Sequence, residues 1–181
     1  MKKVIWGVLS TAKIGRERVL PGMLKSSLLE IRAIASRDGA RGRAAADALG
    51  IPRAYGSYEA LLADPEIEAI YNPLPNHLHV PLTLQAAAAG KHVLCEKPIA
   101  LTADEATQLR AAAGKVLIAE AFMVRFHPQW LRARDLVREG RIGTLRAVQM
   151  FFGYNNLDPA NVRNKADIGG GGLYDIGCYA I

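Results

Sequence analysis

The chain has 181 residues, half of them hydrophobic, which is enough for one complete core or for one core and part of a second. No apolar run is long enough to cross a bilayer. The short apolar stretch after Met1-Lys2-Lys3 ends at Ser10-Thr11 and reads as a first strand, not a secretory signal, so a cytoplasmic location is expected. The net charge of +6 comes from scattered arginines with no block of like charge, which suits an anionic small ligand and gives no reason to expect nucleic acid or membrane as partners.

In chain order, Val4–Leu9 is a continuous apolar run, as in a strand buried on both faces. A helix is expected from about Ile14 to Lys25, interrupted by Pro21. A second strand follows over Glu30–Ser36, then an Ala/Arg-rich helix over Ala40–Leu49 that stops at Gly50. Ser57–Leu62 reads as a short helix and Ala69–Asn72 as a strand. His79–Ala89 reads as a helix, with Pro81 in its first turn, where a missing N–H costs nothing. His92–Glu96 is the next strand. Thr102 and Glu105 have capping-box spacing and open a helix through Ala113, and Val116–Ala119 is one more strand. Strands and helices alternating at this spacing predict an α/β fold with a doubly wound parallel sheet over residues 1–120.

After about Glu120 the rhythm changes. Pro128–Glu139 has the pattern of an amphipathic helix, and Gly143–Phe152 alternates as a long strand. A polar loop then leads to Gly169-Gly170-Gly171-Gly172 and a helix over Leu173–Ile181. Residues 121–181 read as the incomplete first part of a second domain. The two cysteines, Cys95 and Cys178, lie outside any CxxC or Cys/His cluster, so neither a disulfide framework nor a metal site is expected.

Five segments carry candidate chemistry. Ser10, Thr11, Ala12, Lys13, Ile14 and Gly15 form a turn from the first strand into a helix, where a dinucleotide pyrophosphate meets backbone N–H groups. The usual glycine fingerprint is reduced to Gly15, with Ser10 and Ala12 as the smallest substitutes for the other two. Some twenty residues on, at the end of the second strand, an acidic residue would bind the ribose of NAD. Ser36 and Arg37 stand there instead, with Arg41 nearby, and a hydroxyl with guanidinium groups suits the 2′-phosphate of NADP.

Pro73, Leu74, Asn76 and His79 belong to a stiff segment at the carboxyl end of the strand 69–72, where open parallel sheets bind ligands. Asn76 could cap the next helix or touch the nicotinamide end. His77 and His79 could act as acids or serve as surface or cap residues. Glu96-Lys97-Pro98 ends the strand 92–96, and a Lys placed there can polarise an oxygen or move a proton, or else be solvated beside an ion-paired Glu96. Asp175 and Tyr179 are four apart and would share a helix face, either to position a hydroxyl and shuttle its proton or to serve as cap and core residues after a glycine linker.

Together WGVLSTAKIG, Ser36-Arg37, YNPLPNHLH, GKHVLCEKP, AEAFMVRFHP and GGGGLYDIGCY resemble, in order and spacing, the glucose-fructose oxidoreductase/inositol dehydrogenase (Gfo/Idh/MocA) family, and most of all its NADP-dependent sugar and dihydrodiol dehydrogenase branch. The resemblance implies a Rossmann domain followed by an α+β domain with an open antiparallel sheet. It further implies hydride transfer between NADP(H) and a sugar, polyol or related carbonyl compound, and a homo-oligomer in the full-length form. It places the catalytic lysine at Lys97, the acidic residue at Asp175 and its partner at Tyr179, and it puts Arg125 at the nicotinamide end of the cofactor. NADP is expected before NAD. Members of the family continue well beyond residue 181, so the segment after Glu120 is expected to be partly disordered, swapped between chains or completed by something else. An inactive NADP-binding sensor, scaffold or fragment is the competing expectation.

Overall fold

The computed structural model describes residues 2–180. The chain divides into two compact units, Met1–Glu120 and Ala121–Ile181. The first is built on a six-stranded sheet of β1 (Val4–Leu9), β2 (Leu29–Ala35), β3 (Arg53–Tyr55), β4 (Ala69–Asn72), β5 (His92–Glu96) and β6 (Ile118–Ala121), in the order β3-β2-β1-β4-β5-β6. Pairing is parallel between β1 and β2, β2 and β3, β1 and β4, and β4 and β5. This is the doubly wound order, in which strand succession reverses between β1 and β4 and opens a crevice at the carboxyl ends of those strands.

The strands separate two apolar layers with a period of two. Val8, Ile34 and Tyr71 pack on one face with Leu20 of α1 (Leu20–Met23) and Ala45 and Ala46 of α2 (Gly39–Leu49). Leu9, Ala33 and Ile70 pack on the other with Leu61 and Leu62 of α3 (Tyr58–Leu62) and Leu82 and Ala86 of α4 (His79–Ala88). The layers are close enough that a Cβ on Gly7 would lie 2.6 Å from Leu61 Cδ2. At the amino ends of β4 and β5 the buried Lys91 donates from Nζ to the carbonyls of Asp64 (2.8 Å) and Ile67 (2.7 Å), so the charge enters the interior with partners.

Helix α5 (Ala103–Ala112) is capped by Thr102 Oγ1, which accepts from the Glu105 N–H at 3.2 Å. The reciprocal bond runs from the Leu101 N–H to Glu105 Oε2 at 2.8 Å, one residue earlier than in a simple capping box.

Several expectations need correction. The helix expected over 14–25 forms as an unbroken helical run over residues 13–23, but its middle, Gly15–Val19, is a widened π-type turn that leads into α1, with Pro21 near the start of α1. The wider turn admits a proline that has no N–H to give and a ring that crowds the preceding turn. The three-residue β3 was not anticipated, because Arg-Ala-Tyr carries no apolar alternation. The last strand begins later than expected, at Ile118.

In the second unit, α6 (Pro128–Arg138) is present, but residues 143–152 form no strand. Their alternation is real, yet a strand is defined by a neighbour that takes up its N–H and C=O groups, and none is found among the described residues. The expected helix over 173–181 is two short pieces, α7 (Gly172–Asp175) and a turn over Gly177–Ala180, with Ile176 at φ −129° between them; Ile181 lies outside the described residues.

Candidate functional site

Parallel register brings the loops of the first unit to one edge. Leu9 pairs with Ala35, Val8 with Tyr71, and Asn72 with Cys95, so the segments after β1, β2, β4 and β5 all leave the sheet on the same side.

After β1, Ser10 has φ 86°, the left-handed conformation that glycine adopts without cost. The serine is held there from both ends: its N–H donates to the Ala35 carbonyl at 2.8 Å, and its Oγ accepts from the Ala12 N–H at 3.0 Å. Arg16 Nε donates to the Thr11 carbonyl at 2.9 Å and closes the turn, while Lys13 lies within ion-pair range of Glu17 (4.0 Å) and Ile14 is exposed. A Cβ on Gly15 would sit 3.4 Å from Tyr71 Cε1 and 3.6 Å from Pro73 Cγ, so this glycine lets the turn lie against β4. The degraded fingerprint keeps its two geometric needs, a positive φ and a close approach, at Ser10 and Gly15.

After β2, the buried Ser36 accepts from the Asp38 N–H at 3.2 Å, and Asp38 caps α2 by accepting from the Arg41 N–H at 3.0 Å. The exposed Arg37 guanidinium reaches the Tyr58 hydroxyl, whose pKa is raised chiefly by burial. Ser36, Arg37 and Arg41 thus stand together at the mouth of β2 with the arginine side chains outward.

After β4, Asn72 is fully buried and ties the segment to itself. Its Nδ2 donates to the His79 carbonyl (3.2 Å) and to Thr83 Oγ1 (3.4 Å), and its Oδ1 accepts from the Leu74 N–H (3.3 Å). Pro73 and Leu74 are buried, and Asn76 opens a short turn, Asn76–Leu78, that enters α4 without a side-chain cap.

His79, expected to face a ligand, is 1% exposed. Its Nδ1 lies 2.6 Å from the Pro98 carbonyl and its Nε2 2.7 Å from the Leu74 carbonyl. Two acceptors ask for two N–H donors, which only the protonated ring carries. Burial works against that and sets the pKa below the ordinary histidine value, opposed by the two carbonyls and by the carboxylates of Glu96 and Glu120. In either charge state the ring joins two loops and does not face outward.

After β5, Glu96 Oε1 accepts from the Tyr71 hydroxyl at 2.6 Å. Tyr71 is fully buried, and burial first, then the Glu96 charge, hold its phenol far above its ordinary pKa, so it stays a donor. Lys97 follows, half-buried, and precedes Pro98 across a cis peptide bond. Ile99 N–H donates to Glu120 Oε1 at 2.8 Å. Neither Tyr71 nor the inward turn of His79 was read from the sequence; both lie in the segment singled out, but only the register shows what they touch.

In the second unit Asp175 receives two donors on Oδ2, the Tyr154 hydroxyl and Arg163 Nε at 3.0 Å. These side chains line a cleft with Asn156 and Asn164. Arg163 and Tyr154 are separated from Asp175 by 12 and 21 residues, and no local motif announces them. Tyr179 is not on the same helical face as Asp175, because α7 ends at Asp175; its ring stacks on Phe122, with centroids 5.1 Å apart. Gly170 belongs to an ordered turn and not to a loose linker: a Cβ there would lie 2.6 to 2.7 Å from the carbonyls of Lys165, Arg163 and Val162. Arg125 stands exposed at the end of a short turn, Met123–Arg125.

Residues 4–118 match the family of oxidoreductases with an NAD-binding Rossmann fold, GFO_IDH_MocA, and residues 130–181 match a GFO/IDH/MocA C-terminal domain. The chain is 54% identical, over its whole length, to an uncharacterized oxidoreductase, ORF334, of Rhizobium meliloti. It is 46% identical over 98% of its length to D-xylose 1-dehydrogenase (NADP(+)) 2 of Haloferax volcanii. Among solved structures, KijD10, a 3-ketoreductase from Actinomadura kijaniata in complex with NADP and TDP-benzene, superposes with a TM-score of 0.93 at 37% identity over 98% of this chain. The chain spans 55% of the length of each of these three. The sheet order, the turn at Ser10–Gly15 and the matched residues make this chain a member of the Gfo/Idh/MocA oxidoreductase family.

Proposed function

We propose that the protein is an NADP-dependent oxidoreductase that transfers a hydride between the cofactor and a sugar, polyol or related hydroxy or carbonyl compound. The observation that carries this reading is the convergence of the Ser10–Gly15 turn, the Ser36/Arg37/Arg41 group and Glu96-Lys97 on one edge of the sheet, at its topological switch point. The names of two relatives support the cofactor and the substrate class, one an NADP-dependent xylose dehydrogenase and the other a ketoreductase solved with NADP.

The residues present fit the cofactor. The positive φ at Ser10 and the close packing of Gly15 keep the turn free of bulky side chains, so its backbone would hold the pyrophosphate. Ser36, Arg37 and Arg41 would hold the 2′-phosphate, where a guanidinium gives charge-assisted bonds and an acidic residue would repel. Pro73, Leu74, Asn76 and Glu96 would border the nicotinamide end, the role that the family resemblance also implies for Arg125. Bound NADP supplies the hydride acceptor or donor.

The chain's own residues do the rest. The Lys97 ammonium hydrogen-bonds the reacting oxygen and stabilises negative charge there. Tyr179 would give or take its proton, and Asp175, which accepts from Arg163 Nε and the Tyr154 hydroxyl, would orient the substrate. An open antiparallel sheet, formed from residues after 120 together with the further length seen in the relatives, would complete the pocket and the homo-oligomer contact.

The test is NADP+ reduction by the intact protein with a panel of aldoses, D-xylose first, and cyclic polyols. Turnover is expected, and Lys97→Met should lower kcat by about 10²- to 10⁴-fold, the range of a positioned acid–base group, with NADPH affinity retained. NADPH binding with no turnover across the panel would favour a dinucleotide sensor instead.

A further inference from the structure

Lys97 is anchored on both sides by one segment of chain. Before it, the Glu96 carboxylate takes the Tyr71 hydroxyl at 2.6 Å; after it, the Pro98 carbonyl meets His79 Nδ1 at 2.6 Å. Tyr71 and His79 are the two ends of the segment 71–79. Asn72 pins that segment from within through its bonds to the His79 carbonyl and the Leu74 N–H, and His79 Nε2 closes it again on the Leu74 carbonyl.

Both anchors are buried and both are polar. A phenylalanine would fill the volume of Tyr71 and its packing against Gly15, so the fold alone does not call for the hydroxyl. A buried hydroxyl or imidazole costs free energy unless it is bonded, and both are bonded to the residues that flank Lys97. Successive residues of a strand point to opposite sides, so fixing the Glu96 side chain sets the twist of the strand end and with it the direction in which Lys97 departs. Fixing the Pro98 carbonyl holds the Pro98–Ile99 peptide and with it the proline that follows Lys97. A reacting amine needs this, because a displacement of about 1 Å can cost roughly 10²-fold in rate.

We propose that Tyr71 and His79 are positioning residues that bracket Lys97 and aim its amine at the reacting oxygen. The bracket rests on the reading of Lys97 given above, and it also makes a claim about Lys97 that needs no turnover.

The test uses Tyr71→Phe, which keeps the ring, and His79→Asn, which keeps one donor. Three quantities are measured on the intact protein: NADPH affinity by fluorescence, kcat and KM with D-xylose, and the rate of Lys97 acetylation by acetic anhydride across a pH series, read by mass spectrometry against Lys13 and Lys115. Each variant should bind NADPH within about twofold of the parent, lose about tenfold or more in kcat with little change in KM, and shift the pH profile of Lys97 acetylation while Lys13 and Lys115 keep theirs. A parental kcat and Lys97 profile in Tyr71→Phe, with only a lower Tm, would overturn the bracket and leave Tyr71 a core residue. The same result in His79→Asn alone would overturn its C-terminal half. If the parent protein shows no turnover, the hydride-transfer reading fails, and the acetylation profile by itself still decides for or against the bracket.

Discussion

In residues 1–120 the apolar side chains alternate to two faces of a sheet, and helices cover both. In the second unit the same alternation exists over 143–152 but meets no partner strand among the described residues. Phe151 is 95% exposed, and α6 buries none of its residues. The contrast shows that periodicity specifies which side chains share a face, while a strand also needs a neighbouring backbone. The first unit supplies that neighbour to each of its six strands. The polar groups follow the same division: in the first unit they lock loops onto a finished sheet, whereas in the second Asp175, Arg163 and Tyr154 form a cluster on a cleft lined by short helical turns and loops.

Several perturbations sharpen this difference. The largest concerns the two thiols. Cys95 is fully buried on β5, and burial pushes its pKa up to about 12, whereas Cys178 is partly exposed on a turn. With a thiol-reactive disulfide at neutral pH, Cys178 should react at once. Cys95 should react orders of magnitude more slowly, at a rate limited by opening of the sheet. Equal rates would mean that the first unit opens as readily as the second.

Next comes packing. Ile34, fully buried on β2, should cost about 2–5 kcal/mol on truncation to alanine, while Phe151→Ala should fall within about 0.5 kcal/mol of the parent; both are read from urea unfolding followed by near-UV and far-UV signals. A large loss at Phe151 would show that this ring is covered in solution.

Smaller still is a pair of glycines. Gly7→Ala places a Cβ 2.6 Å from Leu61 and should cost about 1–3 kcal/mol by overpacking. Gly22→Ala, in α1 with open space around it, should gain up to about 1 kcal/mol. Thermal melts of the two variants should therefore move in opposite directions.

Much of the first unit is legible without coordinates. The bounds of β1, β4 and β5 follow from apolar runs closed by polar or glycine signals, and the order of strands and helices follows from their alternation. What escapes is β3, which is only as long as its pairing with β2 allows, and the widened turn before Pro21. The positions of the site loops were readable, since each follows a strand in a parallel sheet. The inner workings were not. Tyr71 looks like a core aromatic until register sets it beside Glu96, and His79 looks like a loop histidine until Pro98 and Leu74 are found against its ring. In the second unit, the spacing of Asp175 and Tyr179 suggested one helical face, but the chain leaves the helix at Ile176. The partners of Asp175 come from far along the chain, where sequence spacing carries no signal.

The assembled edge of the first unit is tested most directly by titrating the intact protein with NADPH and with NADH, alongside its Arg37→Asp variant. The parent should bind NADPH about tenfold or more tightly than NADH, as expected for a charge-assisted phosphate contact, and Arg37→Asp should abolish or invert that preference while NADH binding persists. Equal affinity of the parent for the two dinucleotides, or a preference that survives Arg37→Asp, would contradict the assignment of Ser36, Arg37 and Arg41 to the 2′-phosphate and with it the NADP-dependent reading of the site.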